Sequence, residues 1–273
     1  MTLPGVIRRE DRESYAAPAV SRTATQNDAA MRAVITAGGL VEGEFAEAIG
    51  TGVKALAPFR SRTLLDVSLD ACAGAGIEGV AVIGGTEVRA HLAGGGVRVI
   101  DAALDGATNV LRALDAWPGE RFVYLTSDIP FASAGALREL IARSSDFALT
   151  MALAGIAEYE ARFPGAGEHS VALGGERVAN GNAFVIAPTA VEPARAFATK
   201  LFDARKSLPR LALLLGPALC LRFAMKRLTI ADLEAFGSRR LGVPVGALRD
   251  CDPGLCYDVD SLDDYRYACT LSV

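Results

Sequence analysis

Between residues 33 and 152 short apolar runs alternate with helix-patterned stretches, and this alternation limits the possible folds more than any other feature. The runs are Ala33 to Ala37, Val80 to Ile83, Val97 to Ile100, Phe122 to Thr126 and Ala148 to Ala152. Several stop abruptly, at Gly38-Gly39, Gly84-Gly85 and Ser127-Asp128. Leu64 to Ala75, Thr108 to Trp117 and Ala134 to Arg143 carry a helical pattern between them. Runs that are apolar at every position are strands buried on both faces, so the rhythm predicts a mostly parallel sheet covered by helices on each side. Right-handed crossovers then restrict the topology.

After residue 152 the pattern changes. Val171 to Leu173 and Ala183 to Ile186 stand on either side of Gly174-Gly175 and predict a small antiparallel pair. Residues 191–242 read as a helical insertion, interrupted at Pro209 and Gly216-Pro217. Cys256 to Asp260 is expected as a last short strand, with Ser261 capping a terminal helix from Leu262. The fold class predicted is α/β, a Rossmann-like three-layer α/β/α sandwich. Residues 31–273 form one domain in this reading, and residues 1–30 are a loose, polar N-terminal arm without the apolar segment of a signal peptide.

Hydrophobic residues make up 51% of the 273, enough for a large core, and the net charge of −4 argues against general nucleic-acid binding. No apolar run is long enough to cross a bilayer. The five cysteines are scattered. Cys251 and Cys256 supply two of the roughly four ligands that a structural zinc needs, so the expected state is reduced thiols in a cytoplasmic protein.

Three features carry chemistry. A strand ending in Ala37-Gly38-Gly39 lets backbone N–H groups approach phosphate oxygens, and Lys54 downstream can add a positive charge. The plainer alternative is a βα turn with a surface lysine. Asp128 follows a buried strand at the edge where open α/β sheets bind ligands, and a hard cation needs such a carboxylate; a helix cap would account for it equally. Asp258 and Asp260 are two apart and face the same side of an extended chain, which makes them candidate metal ligands. A cap at Asp260 and a solvated Asp258 are the alternative.

With these residues in view, the chain resembles the MobA-like NTP transferases, grouped with molybdenum-cofactor guanylyltransferases and sugar-phosphate nucleotidyltransferases. The likeness rests on Ala33 to Gly39, Lys54-Ala55-Leu56, Ser127 to Phe131, Asn180-Gly181-Asn182 and Asp258 to Asp264 in that order. Arg162-Phe163-Pro164-Gly165 suggests an uncharacterised branch. The resemblance implies NMP transfer from an NTP to a phosphorylated small-molecule acceptor, with Mg²⁺ as cofactor and pyrophosphate released. Ala37, Gly38 and Gly39 would cradle the triphosphate and Lys54 would neutralise it. Asp128, Asp258 and Asp260 would hold the metal, and Asn109 would contact base or ribose. Asn180, Gly181, Asn182 and Arg162 would meet the acceptor.

One departure stands out. The family places an arginine soon after the paired glycines, whereas residues 40–47 here hold Glu42, Glu44 and Glu47 and no arginine. Arg60 and Arg62 are the candidates to replace it. A nucleotide-binding module without turnover is the rival reading, and a sugar- or polyol-phosphate nucleotidyltransferase is the second. Residues 204–231 are basic and acid-free, with Arg205, Lys206, Arg210, Arg222, Lys226 and Arg227 around apolar leucines. The expected role is a helical pair packed on the sheet. A homodimer contact, a phosphorylated lipid or an anionic membrane are the alternatives.

Overall fold

The computed structural model describes residues 31–167, 170–204 and 207–271; the arm at 1–30 and the pair Arg205 and Lys206 lie outside them. Strand β1 (Arg32–Thr36) leads through helix α1 (Gly43–Ile49) and a 3-10 turn (Lys54–Leu56) to a small hairpin, β2 (Pro58–Phe59) and β3 (Arg62–Thr63). Then follow α2 (Leu64–Gly74), β4 (Gly79–Gly84), α3 (Thr86–His91), β5 (Arg98–Asp101), α4 (Gly106–Leu114), β6 (Phe122–Thr126), α5 (Ala134–Arg143) and β7 (Leu149–Gly155). The second part runs α6 (Ile156–Arg162), β8 (Ser170–Leu173), β9 (Glu176–Ile186), α7 (Pro188–Ala204), α8 (Leu208–Leu215), α9 (Pro217–Ala224), α10 (Ile230–Leu241), β10 (Val245–Leu248) and α11 (Leu262–Thr270).

The main sheet has eight strands in the order β10-β7-β9-β6-β1-β4-β5, with β8 paired to β9 off that path. Every pairing is parallel except those of β9, which runs antiparallel to β6, β7 and β8. The expected three-layer sandwich is present. On the back face Ala33, Ile35, Val82, Leu125 and Val185 pack against α2 and α5 through Leu65, Cys72, Leu137 and Leu140. On the front face Val34, Ile83, Phe122 and Ile186 pack against Ala113 and Leu114 of α4 and Ala190 of α7. Alternation along each strand produces this division.

Sequence reading placed β1, β4, β5, β6 and β7 to within a few residues and missed the small hairpin of β2 and β3. The expected antiparallel pair is present, but its partner residues differ. Gly174 and Gly175 both have positive φ, +59° and +92°, as a two-residue hairpin turn requires. The turn pairs Leu173 with Glu176, not with residues 183–186, which lie between β6 and β7 in the same long strand. Asn180-Gly181-Asn182 therefore lies inside β9. There the register moves from Met151 opposite Phe184 to Leu153 opposite Asn180, so residues 181–183 bulge against Ala152. A Cβ on Gly181 would stand 2.7 Å from the Ala152 Cβ and closer still to its carbonyl oxygen, so only glycine fits.

The expected strand at residues 256–260 is absent. The N–H groups of Cys256 and Tyr257 bond back to Pro253, and that of Val259 bonds to the Asp128 carbonyl at 2.9 Å, which leaves no ladder. The last strand is instead β10. In the helical region Pro209 and Pro217 start α8 and α9, and Pro193 lies within α7.

Helix α2 begins with a capping box. Thr63 accepts from the Asp66 N–H at 3.2 Å and donates its own N–H to Asp66 Oδ2 at 2.9 Å. His91 of α3 meets Asp66 Oδ1 at 2.8 Å. Burial alone would raise the Asp66 carboxyl pKa, but the bonds from His91 and Thr63 outweigh it and hold it below the ordinary carboxylate value. The stabilisation exists above the unfolded-state pKa and is lost as pH falls through the folded one. Asp66→Ala should cost about 1 kcal/mol in denaturant melts at neutral pH, and the gap from the parent should narrow as pH falls below the ordinary carboxylate value.

Candidate functional site at the carboxyl edge of the sheet

The parallel strands end along one edge, and the chemistry-bearing side chains gather there. After β1, the Ala37 N–H donates to the Ile83 carbonyl at 2.8 Å, extending the ladder by one residue before Gly38 and Gly39. The loop then leaves the sheet and returns. Leu40 and Val53 form an isolated antiparallel bridge, and the Lys54 N–H donates to the Gly39 carbonyl at 3.0 Å. That closure places Lys54 directly against the glycines: a Cβ on Gly39 would lie 3.5 Å from the Lys54 Cε. Gly38 is enclosed more tightly, where a Cβ would meet Ala102 Cβ at 2.9 Å and Asn109 Nδ2 at 3.0 Å. The excursion between bridge partners holds α1, with Glu42, Glu44 and Glu47 exposed around it.

The Lys54 ammonium is an electrostatic hub. It forms an ion pair with Asp128 Oδ2, donates to the Val259 carbonyl at 2.9 Å, and lies 3.5 Å from Asp260 Oδ1. Burial by itself would lower its pKa; Asp128 first, then Asp260 and Asp258, outweigh that and raise it above the usual lysine value. Residues 128 and 258–260, far apart in sequence, are thus joined by one ammonium, and the Val259 N–H to Asp128 carbonyl bond reinforces the junction. Val259 is fully buried while Asp260 projects into solvent with 70% of its side chain exposed.

Asp128 does not cap the next helix. Ser133 does, accepting from the Ala136 N–H at 3.2 Å. Asp128 Oδ1 is buried without a hydrogen-bond partner among the described residues, and the Thr126 hydroxyl two residues earlier is in the same state. Orphaned buried oxygens are costly and mark a place where a cation, water or ligand completes the bonding. On the same front face Thr36 Oγ1 and the Tyr124 hydroxyl meet at 3.1 Å. Burial pushes the Tyr124 phenol up, and the Asp128 charge adds to the effect.

The remaining candidates divide. Asn109 is buried and uses both ends of its amide on one loop residue: Oδ1 accepts from the Ala103 N–H at 2.7 Å and Nδ2 donates to the Ala103 carbonyl at 3.0 Å. It braces the loop that packs on Gly38. Asn182 stands one residue beyond the Ala183–Leu125 pair, at the end of β6 that leads to Asp128. Asn180 is exposed beyond the bulge. Arg162 is ion-paired with Asp252 and lies over the Phe163 ring at 5.5 Å. With Arg60 and Arg62 it lines a cavity of about 420 Å³ beside Pro130 to Ser133. Thr36, Tyr124 and Thr126 escaped the sequence reading. Their signal was present as hydroxyls at alternate positions near the ends of otherwise apolar strands.

A Rossmann-like sheet with a glycine loop, a lysine and a carboxylate at its carboxyl edge defines the nucleotide-binding class of α/β proteins. Residues 33–214 match the MobA-like NTP transferase domain, and the chain belongs to that family. A hypothetical transferase from Thermus thermophilus shares 28% identity, with 86% of this chain and 99% of that chain covered and a TM-score of 0.77. A nucleotidyl transferase from Methanothermobacter superposes with a TM-score of 0.54 at 18% identity, covering 87% of this chain and 95% of its own. Rv0371c from Mycobacterium tuberculosis H37Rv in complex with manganese gives 0.51 at 18%, covering 88% and 98%. The last two bear on the fold alone. No curated protein matches the chain. Family and fold together support a nucleotidyltransferase-type reaction.

Removing the ammonium leaves a buried carboxylate facing two other acids. Lys54→Met should lower the unfolding free energy by about 1–3 kcal/mol in urea, and adding Asp128→Leu should recover part of that loss. Equal, additive losses in the cycle would show that the two side chains do not interact.

Proposed function

We propose that the chain transfers NMP from an NTP to a phosphorylated small-molecule acceptor and releases pyrophosphate. The observation that carries this reading is the meeting of Lys54 and Asp128 beside Gly38 and Gly39, with Asp128 Oδ1 buried and unpartnered among the described residues. Polyphosphate would lie over the glycine loop, with backbone N–H groups of residues 38–40 toward its oxygens. Lys54 would exchange its bond to Asp128 for one to phosphate, a short move for a side chain that already spans Gly39.

An acceptor phosphate oxygen would form the new bond to the α-phosphorus as the bond from the α-phosphorus to the bridging oxygen breaks. The electron pair would leave with pyrophosphate. No protein nucleophile takes part, so positioning and charge neutralisation supply the rate. Asn182, at the end of β6, would face the acceptor, and Asn109 would act through the loop it braces rather than by contact.

The oxygens of Asp128 and Thr126 suit a hard divalent cation, which takes one or two carboxylates together with substrate phosphates and water. Among the described residues no group of three or more acidic, cysteine or histidine side chains forms a cage, and a cation shared with the nucleotide needs none. When bound, Mg²⁺ would neutralise charge that builds on the phosphates. Asp128 would hold it, with Asp260 and Asp258 near enough to contribute through their shared field at Lys54. Manganese in Rv0371c, a distant fold relative, agrees with a divalent ion here.

The arginine-free loop favours the non-catalytic rival less than sequence suggested, because its glutamates are exposed to solvent while Lys54 is engaged by Asp128 and Asp260. Five unpaired cysteines fit a reducing, cytoplasmic setting. No helix among the described residues is long and apolar enough to cross a membrane.

With Mg²⁺, at least one NTP should raise Tm and, with a phosphorylated acceptor, release pyrophosphate. Asp128→Ala should reduce that release by about 10² or more while circular dichroism stays unchanged. Nucleotide-induced stabilisation with no release across a broad acceptor screen would favour the binding module instead.

A further inference from the structure

The front face beyond Asn182 carries a feature that phosphate chemistry alone leaves without a use. A cavity of about 700 Å³ opens between β7 and the helices α8, α9 and α10. Leu153, Leu173, Leu219, Phe223, Leu228 and Ile230 line it. Its two polar side chains differ. Glu234 Oε1 already accepts from the Ala247 N–H at 2.9 Å, whereas Asn180 is exposed at the cavity wall.

Strand alternation connects this cavity to the candidate site. Tyr124 and Thr126 of β6, Asn182 and Phe184 of β9, and Met151 and Leu153 of β7 occupy the front face. Asn182 therefore stands between the end of β6, where Asp128 follows, and the apolar wall, with Asn180 just across the bulge. A molecule with its phosphate near Asp128 and Asn182 can extend past Asn180 onto this apolar wall, whereas the cavity beside Pro130 to Ser133 is lined by Arg60, Arg62 and Arg162. Among the described residues the cavity wall itself carries no basic side chain; its one charged group, Glu234, is turned to the Ala247 N–H, and Arg222 nearby in sequence is held by Asp232 at 2.7 Å. Phe223 lines the cavity and is still 64% exposed, so the apolar surface is only partly covered by the protein itself.

We infer that this cavity holds the apolar chain of the acceptor, which is a phosphorylated amphiphile of the prenyl or acyl type rather than a sugar phosphate. The inference rests on the transferase reading for the acceptor's phosphate end. The chain-binding end stands on the cavity.

Isothermal titration with n-alkyl phosphates of about four to ten carbons, kept below micelle concentration, tests it on the full chain. Affinity should rise about threefold or more per methylene, as expected for burial of each CH₂. Ala212→Trp, at an exposed wall position, should fill the cavity and weaken decyl phosphate by about tenfold or more, while NTP-induced stabilisation with Mg²⁺ remains as in the parent. Phe223→Ser should weaken it less. In the same samples, labelled NMP should pass to decyl phosphate in preference to butyl phosphate. A flat chain-length series overturns the inference, and so does a steep one that Ala212→Trp leaves unchanged. A flat series with a dimer split by Phe223→Ser would assign the face to a second copy, and a flat series with flotation on anionic vesicles would assign it to a membrane. A steep, tryptophan-sensitive series without NMP transfer to any alkyl phosphate would confirm the cavity and refute the transferase reading.

Discussion

One buried ammonium determines the geometry of the carboxyl edge. Lys54 is fixed from below by its own N–H to the Gly39 carbonyl, and its Nζ reaches Asp128, the Val259 carbonyl and Asp260. Those groups come from two parts of the chain far apart in sequence, the loop after β6 and the segment before α11, which the Val259 N–H to Asp128 carbonyl bond also joins. Without the lysine, the acidic residues would repel one another in a partly desolvated place. With it, the loop after β1, the loop after β6 and the segment before α11 form one structure. In the proposed reaction the same ammonium receives polyphosphate, so the contact that holds the edge together is also the one that substrate binding would exchange.

The sheet divides the labour on either side of that point. Purely parallel strands β1, β4 and β5 present the glycine loop and the Asn109-braced turn, which need only backbone. Antiparallel β9 interrupts the parallel order next to β6 and carries a bulge whose Gly181 lets it approach Ala152. That irregularity places Asn182 near Asp128 and directs the following face toward the apolar cavity under the helical region. In the proposed reaction the nucleotide and the acceptor would occupy neighbouring places with different chemistry, and the change in strand direction would mark the boundary between them.

How much of this was legible in the sequence depends on whether the signal was local. The strands at 33–36, 80–83 and 122–126 were legible because burial on both faces leaves an uninterrupted apolar run. Lys54 and Asp128 could be marked as candidates, since paired glycines and an acid at the carboxyl ends of buried strands stand where open α/β sheets bind ligands. Their ion pair was not legible, because no local pattern joins a lysine and an acid so far apart in sequence, and the Val259 carbonyl that the same ammonium bonds is advertised by no side chain. The segment 256–260 alternates like a strand and reads as one, yet its N–H groups bond to Pro253 and Asp128, a choice made by the tertiary structure. Asn180-Gly181-Asn182 was marked through the resemblance as an acceptor contact, and no local pattern announced that its glycine serves close strand approach inside β9. The glutamates of residues 42–47 suggested interference with phosphate; that they lie exposed on and beside α1, in an excursion closed by the Leu40–Val53 bridge, is a matter of tertiary structure.

The most direct measurement is a crystal structure with a non-hydrolysable NTP and Mn²⁺, with the metal located by its anomalous signal. The expected result is a manganese peak at direct coordination distance, roughly 2 Å, from an Asp128 oxygen, with the triphosphate over Gly38 and Gly39 and the Lys54 Nζ moved onto phosphate. Nucleotide bound elsewhere, or metal bound away from Asp128 while the Lys54–Asp128 pair stays closed, would contradict it.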